Sequence, residues 1–134
     1  MKESAPLTPS LDSQRLFALR GAISVAENTE REILDGTREL VEEIMDRNSL
    51  AADQMVSCVF SATTDLNAQF PAVAARDLGL SRVPLLCTQE IDVPGALPRV
   101  IRVLLHYYAP AGHAPQHVYL REARSLRADL EAAQ

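Results

Sequence analysis

The run LFALRGAISV, residues 16–25, governs how the rest of the chain is read. It is apolar and β-prone, and short enough to be a buried strand, with only Arg20 and Gly21 interrupting it. Upstream, MKESAPLTPSLDSQ is rich in proline, serine and charge. Such a segment cannot offset the entropy of ordering by burial, so residues 1–14 are expected to form a mobile N-terminal tail. Downstream, Asn28 or Thr29 can cap a helix whose first turn holds Glu30 and Glu32. Ile33, Thr37, Leu40, Val41 and Ile44 then recur at helical spacing until about Asn48. MVSCVFSA, residues 55–62, reads as a second strand. A short helix opens at Phe70-Pro71, where proline suits the first turn, and Gly79 ends it.

VPLLC, residues 83–87, predicts a third strand whose proline demands an edge or the first strand position. Pro94-Gly95 and Pro98 break the chain before RVIRVLLHYY (99–108), a β-branched and aromatic run. The loop APAGHAPQ leads to a last strand at 117–120 and a short helix over 122–130. The order β-α-β-α-β-β-β predicts an α+β (mixed α/β) fold: one domain over residues 15–130, with 131–134 as a C-terminal tail. Two helices cover one face of a five-stranded sheet, which leaves a neighbouring subunit as the candidate cover for the other.

Composition narrows the function. Of 134 residues 47% are hydrophobic and 23% charged, as in ordinary globular proteins, and a net charge of −5 argues against nucleic acid or anionic lipid as partner. No run of about 18 apolar residues signals a membrane span or secretion. Cys58 and Cys87 lie in apolar stretches without C-x-x-C spacing, as buried thiols of a reducing, cytoplasmic protein would.

Several residues do not fit a plain core. An arginine in a buried strand cannot shed its charge, so Arg20 and Arg102 each need an internal acid, a solvated edge or an anionic ligand. Glu90 and Asp92 stand at the end of the third strand, where sites are often built, though a solvated acid at a loop entrance reads equally well. No ligand spacing supports a metal at that pair. His113 and His117 are four apart, but the intervening prolines make the segment a loop and defeat a helical metal pair. No G-x-S-x-G, phosphate-binding loop or dinucleotide fingerprint occurs.

Four stretches in register, LRGAISVAENTEREIL (19–34), SATTDLNAQFPAVAAR (61–76), VPLLCTQEIDVPGALPRVIRV (83–103) and HVYLREARSLRADL (117–130), resemble the AroH-class, Bacillus-type chorismate mutases. The resemblance implies an isomerase converting chorismate to prephenate in aromatic amino acid biosynthesis, without metal or organic cofactor. It also implies a homotrimeric pseudo-barrel with active sites between subunits. On the matching positions, Arg102 would contact the breaking ether oxygen, Arg20 a substrate carboxylate, and Glu90 the ring hydroxyl. Tyr119 and Cys87 would line the pocket, and Phe70 and Ala72 would form an apolar wall from the adjacent subunit. Arg76, Leu126 and Arg127 would stand at the mouth, the last two in a closing C-terminal segment. Two positions depart from the family: Val73 replaces a frequent lysine, and Leu86 stands where a threonine can occur. The alternative is a non-catalytic trimeric module that binds a small anion or amino acid as a regulatory signal.

Overall fold

A computed structural model describes residues 13–127. The expectations for the tail before Ser13, for the helix beyond Arg127 and for residues 131–134 lie outside the described residues. Strand β1, Gln14–Ser24, starts at the last residue assigned above to the tail. Helix α1 spans Glu30–Asn48, β2 Met55–Ala62, α2 Ala72–Ala75, β3 Leu85–Gln89, β4 Val100–Pro110 and β5 Val118–Leu120. The strands form one mixed sheet in the order β3-β2-β4-β1-β5. β4 runs antiparallel to both β1 and β2, while β3 lies parallel to β2 and β5 parallel to β1.

Local chemistry sets the element ends. Thr29, not Asn28, caps α1: its hydroxyl accepts from the Glu32 N–H at 3.1 Å, and Glu32 reaches back to the Ala26 N–H at 3.0 Å. Asn28 instead accepts from the N–H groups of Asn67 and Ala68, tying the loop after β2 to the start of α1. A wider helical turn over Arg76–Leu80 follows α2, and Gly79 breaks it at φ 99°, as expected of a terminator. β3 begins two residues later than its apolar run. Pro84 has no N–H for a ladder, although its carbonyl accepts from Cys58 at 3.0 Å, and β3 takes the edge, one of the two places its proline allowed.

α1 packs across β1 and β5. Ile33, Leu40, Val41 and Ile44 meet Leu19, Ile23, Phe60, Ile101, Val103 and Leu105 in the core. The helix comes close because Gly36 has no side chain: a Cβ there would lie 2.6 Å from Cγ1 of Val25. Burial of each large side chain contributes roughly 1.5–3 kcal/mol before the entropy of ordering is counted. Apart from the short helical stretch after β5, whose Ala123 and Leu126 pack on Ala22, Val100 and Tyr119 at one end, the opposite face of the sheet carries no helix among the described residues.

Candidate active site

Side chains alternate across a strand, so while Leu19 and Ile23 enter the core, Arg20 and Ala22 turn to the open face. On β4 the same rule sends Arg102 and Leu104 outward. The register sets Arg102 between Ala22 of β1 and Ser61 of β2, while β5 places Tyr119 on the far side of Ala22. These strands enclose a cavity of about 270 Å³ lined by Arg20, Ser61, Glu90, Arg102 and Tyr119, with Val59 and Leu104 as its apolar floor.

Glu90 is fixed on both sides. Its N–H donates to the Ala62 carbonyl at 2.9 Å, continuing the β2–β3 pairing by one residue, and Ser61 Oγ donates to its Oε2. Its Oε1 lies 3.3 Å from Nε of Arg102, an ion-pair distance. The angle makes no hydrogen bond, however, and this buried N–H has no acceptor. A buried donor left unmatched is costly, so an oxygen from outside the chain would be favoured here.

Arg20 is held through its backbone: its N–H donates to Nδ1 of His117 at 3.0 Å. Burial, and then the charges of Arg20 and Arg127, lower the His117 pKa from 6.5. Tyr119, 8% exposed, packs with Ala22, Val100 and Ala123, and Leu126 covers this small cluster. Arg121 brings the following turn in, binding the Ser24 carbonyl and pairing with Glu39 at 2.7 Å.

Of the residues singled out from sequence, Arg20, Glu90, Arg102 and Tyr119 share this cavity. Cys87 and Phe70 line a different one, of about 440 Å³, between the end of β3 and the loop before α2. Ala72 lines neither and is 2% exposed within the core. Arg76 and Arg127 are exposed, and Val73 is half-buried. Leu86, 58% exposed, faces out on β3 opposite Val59. Sequence reading missed Ser61 and His117, whose partners become visible only in the register. The described residues contain no cluster of three or more histidine, cysteine or acidic groups fit to hold a metal. His113 instead meets the Tyr107 hydroxyl at 2.7 Å.

Two arginines, a fixed carboxylate and a tyrosine thus line one cavity over an apolar floor on an α+β domain, a set of groups whose chemistry suits a small anion. Comparisons with known proteins place the chain in a family. The model of chorismate mutase type I matches residues 16–130, and the chain belongs to that family. It is 47% identical over 118 residues to chorismate mutase AroH of Thermus thermophilus, covering 87% of this chain and 97% of that protein. Chorismate mutase AroH of Bacillus subtilis is 42% identical over 114 residues, covering 84% of this chain and 90% of the relative. Among solved structures, chorismate mutase from Clostridium thermocellum superposes with a TM-score of 0.77 at 41% identity, covering 81% of this chain and 98% of that one.

Proposed function

We propose that this member of the chorismate mutase family isomerises chorismate to prephenate against the wall formed by Arg20, Glu90, Arg102 and Tyr119. The observation that carries the reading is the Arg102 guanidinium, which lines the cavity beside Glu90 and whose buried Nε–H has no acceptor. In the [3,3] rearrangement the carbon–oxygen bond breaks ahead of carbon–carbon bond formation, and electron density gathers on the ether oxygen. A fixed guanidinium stabilises that state more than the ground state, and this difference is catalysis.

The reaction transfers no proton and forms no covalent intermediate, so the site needs no nucleophile. Arg20 holds a substrate carboxylate through charge-assisted bonds, and the Tyr119 hydroxyl supports it. Glu90 accepts from the ring hydroxyl while holding Arg102 in place. Together they select the compact, chair-like conformer, a preorganisation effect. Enzymes lower barriers by about 8–23 kcal/mol, and a unimolecular reaction without acid–base help belongs near the lower end.

The remaining family positions take their roles in an assembly of three copies. Leu16, Leu86, Leu104 and Tyr108 are exposed on the open face, which supports its being covered by further copies of the chain. In that assembly Phe70, Cys87 and Arg76 wall the cleft, and Leu126 and Arg127 close its mouth; Ala72, buried in the core of its own chain, supports the wall from behind. Val73 leaves one positive charge fewer at the entrance. The enzyme works in the cytoplasm; no helix among the described residues is long and apolar enough to cross a membrane.

Chorismate absorbance followed in the presence of purified protein tests the reading directly. Its loss, with prephenate formed and a sedimentation mass of three chains, is the expected result. Saturable chorismate binding without turnover would favour a regulatory module instead.

A further inference from the structure

The parallel ladder between β5 and β1 begins where Val118 faces Gly21. Just ahead of it a side chain ties the two strands: Nδ1 of His117 accepts from the Arg20 N–H. The residue before His117 is itself anchored. Asn48, at the end of α1 and 5% exposed, donates to the Gln116 carbonyl at 3.0 Å and accepts from the Gln116 N–H at 2.7 Å. A chain of bonds therefore runs from the end of α1 through 116 and 117 to the point on β1 where Arg20 leaves for the cavity.

We propose that His117 is a positioning residue for Arg20: its neutral ring fixes the backbone of β1 beneath that guanidinium, and protonation of the ring releases it. The role rests on Arg20 binding a substrate carboxylate, as set out above. A backbone amide can only donate, so Nδ1 must offer its lone pair and the ring's proton must sit on Nε2. A second proton would set donor against donor.

The charges around the ring disfavour that proton as well. Arg20 on β1 and Arg127 in the helical stretch after β5 are the two charges that lower its pKa, in addition to burial. α1 presents the neutral Asn48, and His113 in the preceding loop is engaged with Tyr107. Arg102 and Glu90 stand across the cavity from Arg20. The neutral ring is thus the form this corner is built around, and acid is what disrupts it.

The test measures steady-state chorismate turnover from pH 4.5 to 8 for the full chain, H117A and H117N, with thermal midpoints for each. Asparagine places a carbonyl oxygen near the position of Nδ1 and does not titrate. The wild type should lose kcat/KM along one protonation below pH 6.5. H117A should raise KM about fivefold at neutral pH, the worth of one hydrogen bond, with kcat less affected. H117N should recover most of that loss and lack the acid limb. An acid limb that survives in H117N overturns the proposal, as does H117A with a lowered thermal midpoint but wild-type KM. A wild type that leaves chorismate untouched overturns the functional reading and this role with it; an active wild type indifferent to H117A overturns the role alone.

Discussion

On β1, Leu19, Gly21 and Ile23 turn toward the helices, while Arg20 and Ala22, threaded between them, turn the other way. β4 does the same: Ile101, Val103, Leu105 and Tyr107 are at most 4% exposed, and Arg102, Leu104, His106 and Tyr108 alternate with them on the other side. The two faces of one sheet thus hold different kinds of residue for different ends. On the helix face, apolar side chains pack closely, and removing volume or adding it costs stability. On the open face, charges are kept half-buried beside a cavity, where they contribute little to folding and, in the proposed function, hold the substrate. Because both sets ride on the same backbone, packing on one face holds the arginines of the other in place without contacting any ligand.

The largest effect that could break this division is on turnover. Arg102→Ala should reduce kcat by roughly 10²–10³, the usual cost of removing a donor that stabilises developing charge. Circular dichroism and assembly mass should stay those of the wild type. Lysine at the same place should restore part of the rate, since charge returns without the planar fork. Wild-type turnover in the alanine variant would mean that the open face does not carry the chemistry.

The helix face gives the reciprocal result at smaller scale. Gly36→Ala puts a methyl group 2.6 Å from Val25 Cγ1, so α1 or the end of β1 must give way. A loss of about 1–3 kcal/mol in denaturant unfolding is expected from such overpacking. KM should change little if the distortion stays on the helix side, because Val25 follows β1 and lies five residues from Arg20.

How far these faces could be read from sequence depended on the range of the interaction. Arg20 inside LFALRGAISV and Arg102 inside RVIRVLLHYY were legible as misfits, because a guanidinium in an apolar run always needs a partner. Gly79 was legible too, while the cap of α1 was narrowed to Asn28 or Thr29 and β3 to an edge or a proline at the first strand position, since caps, terminators and prolines act within a few residues. The start of β3 was misplaced because apolar character runs on through Pro84, where the ladder cannot. Ser61 was unreadable: a serine in an apolar strand carries no signal until the register sets it opposite Arg102. His117 was considered as half of a metal pair, while its partner is a backbone amide 97 residues away. That Cys87 and Phe70 face another cavity than Arg102 follows from strand parity and chain path, which no local pattern encodes.

Ionisation sharpens the contrast further. Cys58 lies on the helix face of β2, and burial, with a lesser push from Cys87, raises its thiol from 9.0 to about 12. A raised thiol pKa means the unfolded chain loses its proton first, so folded stability is intact below pH 9 and declines as pH climbs from 9 toward 12. The loss at pH 10 should be on the order of 1 kcal/mol, and Cys58→Ala should flatten it. His117 titrates with the opposite sense. With its folded pKa below 6.5, its contribution is whole above 6.5 and is lost as pH falls from there to the folded value. Unfolding midpoints across both pH ranges, compared between C58A and H117N, assign each limb to its residue.

The smallest expected shift is in the stability of Glu90→Gln. If the Glu90–Arg102 pair served the fold, breaking its charge would leave an uncompensated cation and a cost of several kcal/mol. The pair is instead partly solvated, with side chains 28% and 39% exposed, and its one short contact lacks hydrogen-bond geometry. Glutamine retains an oxygen for the Ser61 hydroxyl, so the neighbouring strand loses nothing. The unfolding free energy should therefore move by no more than about 0.5 kcal/mol. The same variant should lose activity, because an amide no longer anchors the Arg102 guanidinium by charge. A stability loss as large as that of Gly36→Ala would show that the open face is part of the scaffold, and the division between the two faces would fail at its weakest bond.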